Sequence, residues 1–245
     1  MKIKLLLIPA AIFILSSAAF SQSVVITPKK TVYKRAKPES EYRKTFEITY
    51  PKVKAATPAV SRKIEAALSY EKNFEINLKE EINGEYQGLE LADFEVGYNK
   101  NGVLSVSLFM EGWGAYPSSS TKWIVVDLKT GNRIKPAAVF TNLDGLTAKL
   151  KEIQQEKIKA NDEELKSDSE YMELREDIAE ELKDVDFTAD NLEGFSLDEK
   201  GVTFHYDYGY RHAIRALAPD GEYFMSWAAI KPFIKSASLL GKFIR

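Results

Sequence analysis

The chain has 245 residues, of which 44% are apolar and 29% charged. That composition excludes collagen-like, disordered and multi-span membrane proteins, and the length suits one or two domains. The net charge of −2 balances 34 basic against 36 acidic residues, but the two signs are segregated. Residues 27–63 carry 11 basic and 3 acidic side chains, a net of +8; residues 161–186 carry 3 basic and 12 acidic, a net of −9. Cysteine is absent, which excludes disulfides, thiolate metal sites, a catalytic thiol and a lipid-bearing N-terminal cysteine.

Lys2 and Lys4 precede an apolar run from Leu5 to Leu15 that only Pro9 interrupts. Ala19 and Ser21 then place small side chains three and one residues before Gln22. This pattern predicts a secretory signal peptide over 1–21. The run is short for a bilayer span, which takes about 20 residues, and no later segment is long and apolar enough. The expected product is an exported bacterial protein, periplasmic or secreted. It would have 224 residues, a net charge of −4 and no transmembrane anchor.

Residues 22–44 read as a basic leader with Pro28 and Pro38, extended and partly mobile. Phe46, Ile48 and Tyr50 alternate with polar neighbours, which predicts a strand over 45–50 that Pro51 ends. Thr57-Pro58 is an N-cap followed by proline at the first helical position, opening a helix to about residue 72. Phe94, Val96 and Tyr98 alternate in a second strand. Asn101-Gly102 signals a hairpin, and Leu104, Val106 and Leu108 form the returning strand. Residues 112–120, with Trp113 and Tyr116 among small side chains, read as a loop before a strand over 122–128.

The period then changes. Leu143, Leu146, Leu150 and Ile153 predict one helix, and Tyr171, Leu174, Ile178, Leu182 and Val185 a second with an acidic outer face. A break is expected within 161–168. Strands return at 195–197, 202–208 and 223–227, followed by a helix or turn over 228–234 and a basic, apolar tail over 236–245. Strands, then helices, then strands predict an α+β fold, a mostly antiparallel sheet with α-helices packed on one face. The expected domain covers 45–235.

Three stretches resemble a known family: Ile48-Thr49-Tyr50-Pro51 before the first helix; 104–108, 112–116 and 126–131; and 195–208 with 216–219. The chain resembles the DUF3298, or RsiV-like, extracytoplasmic domain family, with a DUF4163-like segment before it. That family includes lysozyme-sensing anti-sigma factor ectodomains and domains appended to some polysaccharide deacetylases. The resemblance implies an α+β fold and a protein ligand such as lysozyme. Neither a deacetylase domain nor a sigma-binding segment joined to a retained membrane helix is expected from this sequence, so neither activity is carried over.

His205 and His212 are the only histidines. With Asp207 they compose a possible metal site, since imidazole and carboxylate suit zinc or iron, although the spacing matches no standard ligand motif. A hydrolase or metal-assisted envelope enzyme centred on His205, Asp207 and His212 is therefore the rival reading. There is no G-x-S-x-G elbow and no Gly-rich phosphate loop, and nothing calls for a cofactor. The acid pairs along 163–181 read as a solvated helix face. Phe204 and Tyr206 read as core. Trp113, Tyr116, Tyr208, Tyr210, Arg211 and His212 are the candidate contact residues, because loop aromatics and arginine build protein and glycan surfaces. The leading expectation is a non-catalytic binding module for a protein or a peptidoglycan or other glycan component, with no nucleic-acid partner. The basic leader is expected to pack near the acidic helix or to meet an anionic partner.

Overall fold

A computed structural model describes residues 23–113, 116–167, 174–183, 185–210 and 212–244. The signal-peptide segment lies outside these residues. Strands β1 (Val25–Lys34) and β2 (Thr45–Lys54) pair antiparallel in one unbroken register that sets Pro28 opposite Pro51. Neither proline has an N–H to give. The pair costs no ladder bond where both donors would face away from each other. β2 therefore runs through Pro51 instead of ending there. It meets β3 (Leu89–Lys100) in parallel only at Glu47 and Ile48. Beyond that point β1 and β2 form a free ribbon, and two-stranded ribbons twist strongly. The buried positions of β2 accordingly change parity, from Phe46 and Ile48 to Val53.

β3 turns into β4 (Val103–Trp113) through Asn101 at φ 52° and Gly102 at φ 71°, the positive angles a type I′ hairpin requires. Val96 opposes Val106 and Tyr98 opposes Ser105, so Gly97 is an extra, bulged residue. The bulge breaks the expected alignment of Phe94, Val96 and Tyr98. Phe94 packs on one face of the sheet, Tyr98 on the other, and Val96 is exposed. β4 and β5 (Pro117–Asp127) continue past the expected loop boundaries, with Trp113 opposite Pro117. Gly112, Trp113 and Ser118 to Ser120 are thus hairpin strand, not loop, while Gly114 and Ala115 lie outside the described residues.

The five strands lie in the order β1-β2-β3-β4-β5. One face is covered by α1 (Pro58–Ala67), α2 (Tyr70–Asn73) and α3 (Leu78–Asn83). The Thr57 side chain caps α1 by accepting from the Val60 N–H. Ile64, Leu68 and Tyr70 pack against Phe46, Ile48, Leu104, Val106, Leu108, Ile124 and Val126. The other face meets a second sheet, β6 (Phe195–Leu197), β7 (Gly201–His205) and β8 (Glu222–Ser226), in sequential antiparallel order. Val103 and Val125 on that face share a core with Phe195, Phe204 and Tyr223.

After the short α4 (Pro136–Val139), α5 runs unbroken over Leu143–Ser167 and contributes Leu146 and Leu150 to the second core. The break expected within 161–168 does not occur before Ser167, because Leu165 is itself buried and holds the last turns. α6 (Arg175–Leu182) follows, with Ile178 packed against Leu165. α7 (Trp227–Ile230) leads into the C-terminal segment, where Leu240 is fully buried and Phe243 stacks on Trp227 at 4.5 Å. The architecture is α+β with a mostly antiparallel sheet. No helix among the described residues is long and apolar enough to cross a membrane.

The charge segregation resolves locally. Lys30 pairs with Glu47 and Arg35 with Glu81, while Lys166 pairs with Asp162 and Lys183 with Glu180. Among the described residues, the basic segment is tied into the five-stranded sheet, and its ion pairs do not reach the acidic helices.

Gly131 turns β5 toward Arg133 at φ 74°, and a Cβ there would stand 2.7 Å from Lys63 Cβ and 2.9 Å from the Val60 carbonyl oxygen. Gly131→Ala combines a left-handed conformation with backbone crowding. Urea denaturation should show a loss of about 1–3 kcal/mol.

Candidate functional site

Arg35 follows β1 directly, and its N–H donates to the Lys44 carbonyl at 2.9 Å, closing 35–44 into a loop. The guanidinium is 99% buried, since its side chain is 1% exposed, and it pairs at 2.6 Å with Glu81, whose side chain is also 1% exposed. It donates further to the carbonyls of Leu89 at 2.5 Å and Arg43 at 3.0 Å, and lies over the Phe46 ring. Glu81 Oε1 accepts from the N–H groups of Gly88 and Leu89. Asn77 caps the start of α3, and Gly84 ends it at φ 78°, where a Cβ would meet the Lys37 carbonyl at 2.5 Å. One ion pair thereby joins the 35–44 loop, α3 and the start of β3.

Above this pair lies a cleft of about 400 Å³ whose walls include Arg35, Tyr42, Arg43, Gln87, Glu90 and Trp113. Tyr42 is 97% exposed and Trp113 46%. The Trp113 N–H donates to the Gly88 carbonyl at 2.7 Å, and its indole Nε1–H donates to the Glu90 carboxylate, fixing the ring. Gly112 permits this approach, because a Cβ there would stand 2.0 Å from the Gly88 oxygen. Arg43 pairs with Glu39 at 2.8 Å. Gln87 bonds to the Glu39 N–H and to the carbonyls of Lys37 and Gly84. The charged groups of the cleft are thus occupied within the protein, while two aromatic faces remain open. Tyr86 and Tyr116, also exposed, lie close in sequence to Gly88 and Trp113.

The other predicted residues fall elsewhere. His205 ends β7, stacks on Trp123 at 3.8 Å with an interplanar angle of 3°, and bonds through Nε2 to the Ser196 hydroxyl at 2.8 Å. Its Nδ1 is buried without a hydrogen bond; Glu222 Oε1 is 4.0 Å away. Burial pushes the imidazole pKa down to about 4. Asp207 is exposed and accepts from the Gly209 N–H at 2.9 Å. The strand expected over 202–208 ends at His205 and does not include Asp207. Among the described residues no group of three metal-ligating side chains converges.

Tyr210 is buried and Tyr208 half-buried. The Tyr208 and Tyr223 hydroxyls bond at 2.5 Å, and Tyr210 is 2% exposed among Leu165, Ile178 and Ile214. Burial raises the phenols of Tyr208, Tyr210 and Tyr223, which keeps them neutral. Alternation in sequence cannot separate a buried aromatic from a presented one. Arg211 and the His212 side chain lie outside the described residues. Trp113 and Tyr116 share no cluster with Tyr208 and Tyr210. Sequence reasoning missed Arg35, Tyr42, Glu81 and Glu90. Of these, only Tyr42, an aromatic alone in a charged stretch, left a signal.

No protein-family model matches the chain, and no curated protein matches it in sequence. Solved structures do match. A DUF3298 family member from Bacteroides fragilis superimposes with a TM-score of 0.58 at 16% identity, over 91% of this chain and 98% of that one. A DUF3298 family protein from Pseudomonas aeruginosa gives 0.57 at 12% identity, over 86% and 94%. The chain has a DUF3298-like fold. At these identities the likeness concerns the fold, and the cleft is described from this chain's own residues.

Two outcomes follow from the buried groups. Arg35→Met leaves Glu81 charged and unpaired in the interior, and urea denaturation should show a loss of about 3–5 kcal/mol. Adding Glu81→Gln, which keeps an acceptor for Gly88 and Leu89 but removes the charge, should return part of that loss. His205 binds its proton less readily when folded than when unfolded, where its pKa is about 6.5. Its contribution is intact above pH ~6.5 and is lost as pH falls toward 4, by about 3 kcal/mol in all. Denaturation midpoints measured across that window should fall more steeply for the wild type than for His205→Gln.

Proposed function

We propose that this protein is an exported, non-catalytic binding module that takes an uncharged envelope glycan in the Tyr42–Trp113 cleft. The observation that carries this reading is the pairing of open aromatic faces with charges already neutralised internally. Arg35 is held by Glu81, Arg43 by Glu39, and Glu90 holds the Trp113 indole. Such a cleft has little to offer a free carboxylate or phosphate. A sugar ring suits it, with an apolar face for Trp113 or Tyr42 and hydroxyl edges for the rim. Export is supported by the Lys2–Ser21 pattern. The rival centred on His205, Asp207 and His212 gains nothing from a His205 committed to Ser196 and Trp123.

Calorimetric titration with soluble N-acetylhexosamine oligomers tests the reading. Binding should be nearly independent of salt, and Trp113→Ala and Tyr42→Ala should each weaken it about tenfold or more, with little change in thermal stability. A wild-type protein that ignores these oligomers, or variants that bind them as well as wild type, would overturn it.

A further inference from the structure

A second surface, independent of the cleft, lies along β1. This strand pairs with β2 over all ten of its residues, and the sheet ends there. Among the described residues, no backbone hydrogen bond from outside the β1–β2 ladder reaches Val25–Lys34. The opposed prolines fix the phase of the ladder. A Pro–Pro pair belongs at a non-hydrogen-bonded position, and such positions alternate along an antiparallel strand. Ile26, Lys30, Val32 and Lys34 therefore turn their N–H groups away from β2, while Thr27, Lys29, Thr31 and Tyr33 donate inward.

The open edge is chemically distinctive. Val25 and Val32 are 61% and 52% exposed. Lys30 is paired with Glu47; Lys29 and Lys34 have no acidic partner among the described residues. Pairing between two copies of the edge would bring lysines together, and Pro28 withholds one outward donor. These features oppose self-association. They do not oppose an extended chain of the opposite charge, which would gain both the free ladder groups and the lysines.

We infer that the outer edge of β1 accepts an acidic, extended segment of a partner protein as an added sixth strand. The main-chain groups of Lys30, Val32 and Lys34 supply the ladder, and Lys29 and Lys34 select for acidic side chains.

The probe is a peptide of β1's length with Glu on both strand faces among Thr and Val, compared with a matched peptide carrying Lys for Glu. The acidic peptide should bind in fluorescence anisotropy, more weakly as salt rises, and should slow amide exchange at Lys30 and Val32. The basic peptide should not bind. Val32→Pro removes an outward N–H without touching the inner ladder and should weaken binding by about tenfold or more. The double variant Lys29→Glu, Lys34→Glu keeps every backbone donor, so it decides the matter even if the proline variant fails to fold. It should lose the acidic peptide and gain the basic one. Absence of binding, equal binding of both peptides, or unchanged exchange at Lys30 and Val32 would overturn the inference. So would a wild-type dimer in sedimentation that Val32→Pro abolishes, since the edge would then serve a second copy. The oligosaccharide titration, read at Trp113, is unaffected by these changes, so the two sites fail separately.

Discussion

The buried Arg35–Glu81 pair is the constraint on which the cleft end of this molecule depends. An arginine and a glutamate out of water are costly unless each is fully engaged. Here both Arg35 Nη groups and both Glu81 oxygens are engaged, while Arg35 Nε lies buried without a partner. Arg35 consumes carbonyls from the 35–44 loop and from β3, and Glu81 consumes the N–H groups that open β3. These are backbone groups of irregular or terminal segments that would otherwise need solvent. The pair does more than join α3 to the sheet. It fixes the height at which Gly88 meets Gly112, and thus the position of Trp113 above the cleft floor.

The same economy appears on the far side of the sheet. β4 has no solvated face through its first half, because Leu104, Val106 and Leu108 serve one core while Val103 serves the other. A strand buried on both sides cannot be placed by alternation alone. Two local devices settle its partners. The Gly97 bulge sends Tyr98 to the second core, where it meets Phe243. Buried Ser105 accepts from the Leu197 N–H at 3.1 Å and so ties the second sheet to the first. The hydroxyl sits where a hydrocarbon would leave the edge of β6 without a partner.

The legible part of the sequence was the part governed by local rules. The Thr57 cap, the Asn101-Gly102 hairpin, the helical spacing from Leu143 to Ile153 and the α+β class all follow from short-range chemistry. What escaped depended on partners distant in sequence. β1 shows little alternation because it is an edge strand with most of its surface in water. Pro51 failed as a terminator because its opposite residue is also proline. Ser118 to Ser120 read as a loop because nothing local reveals that β4 lies alongside. At the cleft, Trp113 was legible as an aromatic among small residues, but Arg35 was one cation in a basic run and Glu81 one acid in a pair. Only their joint burial distinguishes them.

That contrast also explains why reactive residue types misled. His205, Tyr208 and Tyr210 attract attention as chemistry-bearing side chains, yet His205 and Tyr210 are buried and Tyr208 half-buried in apolar or aromatic surroundings that hold them neutral. His205 lies flat against Trp123, and the two tyrosines pack among α5, α6 and β8. His205 Nδ1 and the Tyr210 hydroxyl are buried without a hydrogen bond. Tyr42 and Trp113 have no reactive chemistry and are exposed despite the cost of wetting an aromatic face. Here unspent apolar surface is the better guide to what the fold presents. The Arg35–Glu81 pair links the two observations, since it neutralises the cleft from below and leaves the aromatic faces as its outward chemistry.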